Sequence, residues 1–269
     1  MIIIGEKING TIPTVKSAIE SKDEDFIFNL AIKQAETGAD YIDVCASTKP
    51  DIEADTLIWL MNVVQAAVDK PLCIDSPNPR TIEKVLKYAK HPGIINSVSE
   101  EGGKCEIIYP LIQNTEWQVI GLTCDSDGIP SDVQKRVEIA QRLVEKAQQF
   151  DISPDRIFID PLVIALSTDN QSVLKFVETM TLIRRLYPTI KITSGLSNIS
   201  FGMPLRKVVN QSFMTVAIYA GMDSAIMDPC NRDMMAALLA IEAVAGSDKF
   251  CRKFSDAFRK GKIGPLKNE

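Results

Sequence analysis

Carboxylates and amides carry the chemical potential of this chain. Asp75 closes the apolar run Leu72–Ile74, Asp160 closes Ile157–Ile159, and Asn96 closes Ile94–Ile95. An ionised carboxylate only accepts hydrogen bonds, whereas an amide both donates and accepts without charge. Such a set suits recognition of a donor-rich ring better than metal or nucleophilic chemistry. Paired carboxylates also serve glycoside hydrolysis. That chemistry usually brings sugar-stacking aromatics, yet aromatics are 6% of the chain and none adjoins these residues.

The same arrangement recurs along the chain. Ile2–Ile4 runs to Glu6, Tyr41–Ile42 to Asp43, Val119–Leu122 to Thr123, Ile192–Thr193 to Ser194 and Ala225–Met227 to Asp228. With the three runs above this makes eight strand signals, and a helical pattern separates each from the next. Eight strand-then-helix units in 269 residues predict a single-domain (β/α)₈ TIM barrel over residues 1–269. A doubly wound parallel sheet uses similar units, but the count and the length favour closure. In a barrel the strand C-termini share one mouth, so these polar residues are expected to converge there.

Local signals place the helices. Asp23–Thr37 is followed by Gly38 at the C′ position. Ile52–Val68 reads as a well-buried helix. Asn78–Pro79 supplies a cap and a first-turn proline for Pro79–Ala89, and Ser131 is expected to cap the stripe Val133, Val137, Ala140, Val144 and Ala147. Val173, Val177, Met180 and Ile183 form another stripe, stopped by Pro188. Pro204–Ala220, Arg232–Ala245 and a short amphipathic Lys249–Phe258 complete the set.

Composition narrows the function classes. The formal net charge of −5 gives no electrostatic reason to expect nucleic acid or an anionic membrane as partner. Met1–Ile4 is too short for a signal peptide, and no run is long enough to span a bilayer. The six cysteines include no C-x-x-C pair, so a reduced, cytoplasmic setting is expected. Cys73 reads as a small buried hydrophobe, while Cys45, Cys124 and Cys230 lie just beyond strand ends. His91, the single histidine, stands before Pro92 on the far side of the barrel and is expected to cap a helix C-terminus. No metal ligand set is expected. After the seventh strand, Gly195-Leu196-Ser197-Asn198 is a weak phosphate signal, and Asn198 is better placed to bond a substrate heteroatom.

Read in order, the motifs resemble those of the methyltetrahydrofolate:corrinoid (iron–sulfur) protein methyltransferases, in the pterin-binding barrel clan. The matching segments are Gly5-Glu6-Lys7-Ile8-Asn9-Gly10, Leu72-Cys73-Ile74-Asp75-Ser76, Ile95-Asn96-Ser97, Gly121-Leu122-Thr123, Gly128-Ile129-Pro130, Ile159-Asp160-Pro161-Leu162 and Gly195-Leu196-Ser197-Asn198-Ile199-Ser200. The resemblance implies that Asp75, Asn96 and Asp160 hold the pterin of tetrahydrofolate or 5-methyltetrahydrofolate, with Gly195, Ser197 and Arg206 lining its pocket. It implies that Asn198 is catalytic and faces N5, the nitrogen that carries the methyl group. Glu6, Asp43, Thr123 and Asp228, the remaining polar strand ends, are candidates for a supporting shell. It also implies a homodimer and a corrinoid protein as partner. The chain lacks an Asp-x-His-x-x-Gly cobalamin motif, so the cobalamin is expected on a separate protein.

Two positions depart from the family pattern. Cys45 stands where an Asn is typical, and Phe201-Gly202-Met203-Pro204 is closer to the folate module of methionine synthase. Dihydropteroate synthase is a second reading, but the segments Gly10–Pro13 and Leu162–Ala165 do not match its loops. A folate-binding module without catalysis is a third. The direction of methyl transfer is not written in the sequence.

Overall fold

Runs rich in isoleucine and valine form the strands, because β-branched side chains pack well on a pleated surface. In the computed structural model, residues 1–265 are described. The strands are β1 (Ile2–Asn9), β2 (Tyr41–Cys45), β3 (Leu72–Asp75), β4 (Ile94–Val98), β5 (Gln118–Leu122), β6 (Ile157–Asp160), β7 (Lys191–Ile192) and β8 (Ser224–Met227). The helices are α1 (Pro13–Ser21), α2 (Glu24–Thr37), α3 (Pro50–Ala67), α4 (Pro79–Val85), α5 (Lys104–Ile112), α6 (Val133–Gln148), α7 (Ser172–Leu186), α8 (Arg206–Ala220), α9 (Arg232–Val244) and α10 (Arg252–Arg259). All pairings are parallel, in the order β7-β6-β5-β4-β3-β2-β1-β8. The barrel closes between β8 and β7 by single bonds: Asp223 N–H donates to Ile192 O at 3.0 Å and Ile226 N–H to Ser194 O at 2.9 Å. The expected TIM barrel is therefore present.

Strand alternation sorts the side chains into two layers. One face of the strands, including Ile42, Val44, Ile74, Ile95, Val119 and Ile159, packs against the helices. The other face fills the barrel. Ile4, Cys73, Ile94, Ile120 and Phe158 form an interior plug, each fully buried. Below it, Gln118 donates to the Tyr41 hydroxyl at 2.8 Å and Lys191 donates to Gln118 at 3.0 Å. Two residues above the plug on the same face stand Asp75, Asn96, Leu122 and Asp160. The mouth residues are thus a consequence of the period of two: Cys73 lies under Asp75, Ile94 under Asn96 and Phe158 under Asp160.

β1 breaks this rhythm and runs past its expected end at Glu6. Its register against β2 slips between Gly5 and Ile8. Buried Gln34, from α2, reaches the displaced backbone and accepts from Lys7 N–H at 3.0 Å. Gly5 makes room for it, since a Cβ there would lie 2.6 Å from Gln34 Oε1. Gly10 is similarly required where β1 meets the end of β2, because its Cβ would fall 2.0 Å from Ala46 O.

Several local expectations are corrected. Asp132, not Ser131, caps α6, accepting from Lys135 N–H at 2.8 Å. The C-terminal helix is kinked at Phe250 (φ 59°), so Lys249–Cys251 is a separate 3-10 turn ahead of α10. β7 holds only Lys191–Ile192, shorter than the run to Ser194. His91 pairs with Asp69 at 2.9 Å and caps no helix. α1 was not foreseen, because its apolar positions are few. Residues 266–269, included in the expected unit 1–269, lie outside the described residues.

Replacing Gly5 by Ala should break the Gln34–Lys7 bond and lower stability by about 1–3 kcal/mol. A urea midpoint equal to the wild type would show that Gln34 does not hold the bulge.

Candidate active site

The mouth residues form three linked groups. The first joins β2, β3 and β4. Cys45 pairs in register with Asp75, and Asp75 with Asn96. Asp43 is buried one layer lower and draws on the Asn96 side chain. Burial, and then the neighbouring Asp75 charge, push the Asp43 carboxyl well above its ordinary range. Its Oδ1 is buried without a hydrogen-bond partner among the described residues. Asp75 is pushed up to about 6, first by burial, while a bond from the Cys45 thiol acts in the opposite direction.

The Cys45 thiol lies 3.1 Å from Ser47 Oγ, at the position where the family amide is missing. Burial raises this thiol far above its usual value, so it stays protonated and is no nucleophile. Cys124 is likewise pushed up to about 11, chiefly by burial. Cys73 sits inside the plug, as expected.

The second group surrounds Asp160 on β6. Its Oδ1 accepts from Leu162 N–H at 2.8 Å, and it also draws on the Gly195 backbone. Thr123 donates its backbone N–H to Asp160 O at 3.2 Å and its hydroxyl to the same oxygen at 3.3 Å. The fully buried Arg136, from α6, donates to Pro130 O at 2.7 Å, Pro161 O at 3.0 Å and Leu162 O at 2.8 Å. Its guanidinium therefore fixes the turn after Asp160 and makes no ion pair with it. Burial raises the Asp160 carboxyl to about 7.

The third group links β1, the β7 loop and β8. Ser197 donates to Glu6 Oε1 at 3.2 Å. Lys7 pairs with Asp228 at 3.3 Å. Burial raises Glu6 to about 7, with Asp228 adding repulsion and Ser197 opposing the shift. Arg206, the first residue of α8, is exposed and donates to Ser197 O at 2.8 Å and Ser200 Oγ at 3.1 Å. It braces the loop that carries Asn198. Residues Leu196–Ser200 form a 3-10 turn, which leaves the Asn198 side chain exposed at the open lip. That amide folds back to within 3.2 Å of where a Cβ on Gly195 would lie, so Gly195 leaves it room.

Sequence reading missed Arg136, Gln34 and Glu53. Arg136 had a signal: it shares a helix face with Ala140 and Leu143, where a charge is out of place. Glu53, buried on α3, accepts from Ser76 at 2.8 Å and Thr81 at 2.7 Å, holding the turn after Asp75. No group of three or more His, Cys, Asp or Glu among the described residues has metal-site geometry.

The model of the pterin binding enzymes matches residues 6–228. The chain belongs to this family. A methylcorrinoid:tetrahydrofolate methyltransferase from Eubacterium limosum is 55% identical over 268 residues, covering 99% of each chain. Methionine synthase of Mycobacterium tuberculosis is 28% identical over 240 residues, which are 84% of this chain and 20% of that longer one. A dihydropteroate synthase structure from Xanthomonas albilineans, in complex with 7,8-dihydropteroate, superposes with a TM-score of 0.65 at 20% identity, covering 90% of this chain and 93% of that one. At that identity the last match speaks for the barrel alone. The resemblance carried by the strand-end motifs is borne out.

The raised carboxyls have a pH consequence. A carboxyl that holds its proton more tightly in the fold favours folding most below its unfolded value. That advantage is lost as pH rises to the folded value. For Asp160 the window runs from 3.8 to about 7. Asp160→Asn should therefore raise the unfolding temperature at pH 8 by several degrees and flatten its decline between pH 5 and 8. The expected gain is on the order of 2–4 kcal/mol, at about 1.4 kcal/mol per pKa unit. A variant whose melting profile tracks the wild type at every pH would contradict the assigned burial cost.

Proposed function

We propose that this protein moves a methyl group between a corrinoid carried by a partner protein and N5 of tetrahydrofolate, with the methylcorrinoid as donor. The observation that carries this reading is the 55% identity over 99% of both chains, because a pterin pocket alone is shared across the family. The mouth chemistry supports it. A pterin edge presents an exocyclic amine and ring N–H groups, which the carboxylates of Asp75 and Asp160 can accept. Asn96 supplies a neutral donor and acceptor beside them. Gly195 and Ser197 line the other wall, and Asn198 faces N5.

The corrinoid supplies an electrophilic methyl in this direction and a strong nucleophile in reverse. The chain's own residues position the folate and manage a proton. N5 must carry its lone pair toward the methyl, and its proton must leave as the C–N bond forms. Asn198, at the exposed lip, orients N5 by a hydrogen bond where the partner can approach. Glu6, raised to about 7 and one bond from Ser197, can take a proton near neutral pH. Asp43, Thr123 and Asp228 support these residues. Reaction in this site is a matter of orientation and hydrogen bonding in the transition state.

We further infer a homodimer and cytoplasmic residence. Val208, Val216 and Tyr219 on α8 and Val244 on α9 are exposed, an apolar face suited to a second copy. The six cysteines are free thiols, as in a reducing compartment. No described helix is long and apolar enough to cross a membrane. The whole chain, 1–269, is proposed to act as one functional domain.

Mixing the protein with methylcob(III)alamin and tetrahydrofolate should bleach the methyl–cobalt absorption band. Asn198→Ala should slow that loss roughly a hundredfold while changing folate affinity far less. Equal losses in rate and affinity would remove Asn198 from the transition state. Asp160→Ala should abolish folate binding; retained tight binding would take it out of the pocket. Folate binding with an unchanged cobalt spectrum would favour a module that stores or delivers folate.

A further inference from the structure

We infer that a cleft beside the mouth is a subsite for an oligocarboxylate tail on the folate, a chain of γ-linked glutamates being the chemistry that fits. This rests on the folate reading above and extends it to the form of substrate used. The cleft has a volume of about 490 Å³ and lies between α1 and the start of α3. Gly10, Ser47 and Thr48 form its inner wall. Its wall borders the mouth through backbone: Gly10 N–H donates to Cys45 O at 2.9 Å, and Cys45 lies in register with Asp75. A substituent leaving the pterin on the β1–β2 side would meet this cleft next.

The lining is basic in a protein that is acidic overall. Lys16, Lys22 and Lys49 stand on it against the single acid Glu20. The Lys16–Glu20 pair spans 4.0 Å with both side chains about two-thirds exposed, too weak to occupy the lysine. The Lys22 ammonium is held over the Trp59 ring at 4.4 Å, which orients it without cancelling its charge. Lys49 has no ion pair among the described residues and is the N-cap of the 18-residue α3, whose first turn has no side-chain cap. The helix dipole adds to the positive potential there. Of the two acids in that first turn, Asp51 does not line the cleft and Glu53 directs both its oxygens to Ser76 and Thr81. Thr48 Oγ1 is buried without a partner among the described residues and can donate to a carboxylate.

Lysines are mobile point charges, so they suit a flexible chain of carboxylates better than one rigid anion. The pterin is gripped by shape and hydrogen bonds, whereas the tail would be held by screened charge. The two contributions can therefore be separated.

Monoglutamyl and pentaglutamyl tetrahydrofolate are titrated against the wild type and a Lys16→Gln, Lys22→Gln, Lys49→Gln triple variant, at low and high salt. The wild type should bind the pentaglutamyl form about tenfold more tightly, roughly 1.4 kcal/mol. That advantage should vanish in the variant and at high salt. Monoglutamyl affinity and the methyl-transfer rate should be unchanged by the three substitutions, all at exposed positions. Equal affinity of the wild type for both forms, or a preference that survives the triple variant, would overturn the subsite. If the wild type binds neither form, the folate reading itself fails.

Discussion

Everything at the mouth follows from one constraint: carboxyl groups are seated on a sealed apolar barrel interior. Ile4, Cys73, Ile94, Ile120 and Phe158 exclude water from below. Asp75, Asp160 and Glu6 above them are raised to about 6, 7 and 7, and in each the largest cause is burial. The cations close by are committed elsewhere. Arg136 spends its guanidinium on backbone carbonyls, and Lys7 pairs with Asp228. A ring of buried acceptors without cations is costly to fold and well prepared for a ligand that brings its own donors.

The surrounding structure keeps that ring in register. Gln34 secures the β1 bulge that turns Glu6 toward the mouth. Glu53 ties the turn after Asp75, and Arg136 ties the turn after Asp160. These anchors come from helices outside the barrel, so the grip is built from three directions on rigid elements. Asn198 differs. It stands on a 3-10 turn at the exposed lip, braced through Ser197 and Ser200 by Arg206. A rigid grip below and an accessible amide above match a reaction whose second reactant arrives on another protein.

Much of this was legible in the sequence, for a physical reason. A closed parallel barrel forces apolar runs to end at one mouth, so Asp75, Asn96 and Asp160 could be found from strand position alone. The period of two did the rest. Residues acting at a distance in sequence left weaker traces. Gln34 and Glu53 look like ordinary helix polar residues, and only contacts across 27 and 23 positions give them meaning. Arg206 follows the left-handed Leu205 (φ 51°) and braces the loop after β7, a contact set that only the fold displays. The thiol at position 45 read as a lost amide; in the fold it lies 3.1 Å from Ser47 Oγ, a contact no sequence pattern announces.

The central claim is that ionised buried carboxylates hold the pterin. Calorimetric titration of tetrahydrofolate at several pH values, in buffers of different ionisation enthalpy, tests it most directly. Binding that draws donors onto Asp75 and Asp160 lowers their pKa values. The affinity should then rise as pH increases from 5 to 8, with net proton release near neutrality. An affinity independent of pH with no proton exchanged would contradict the account.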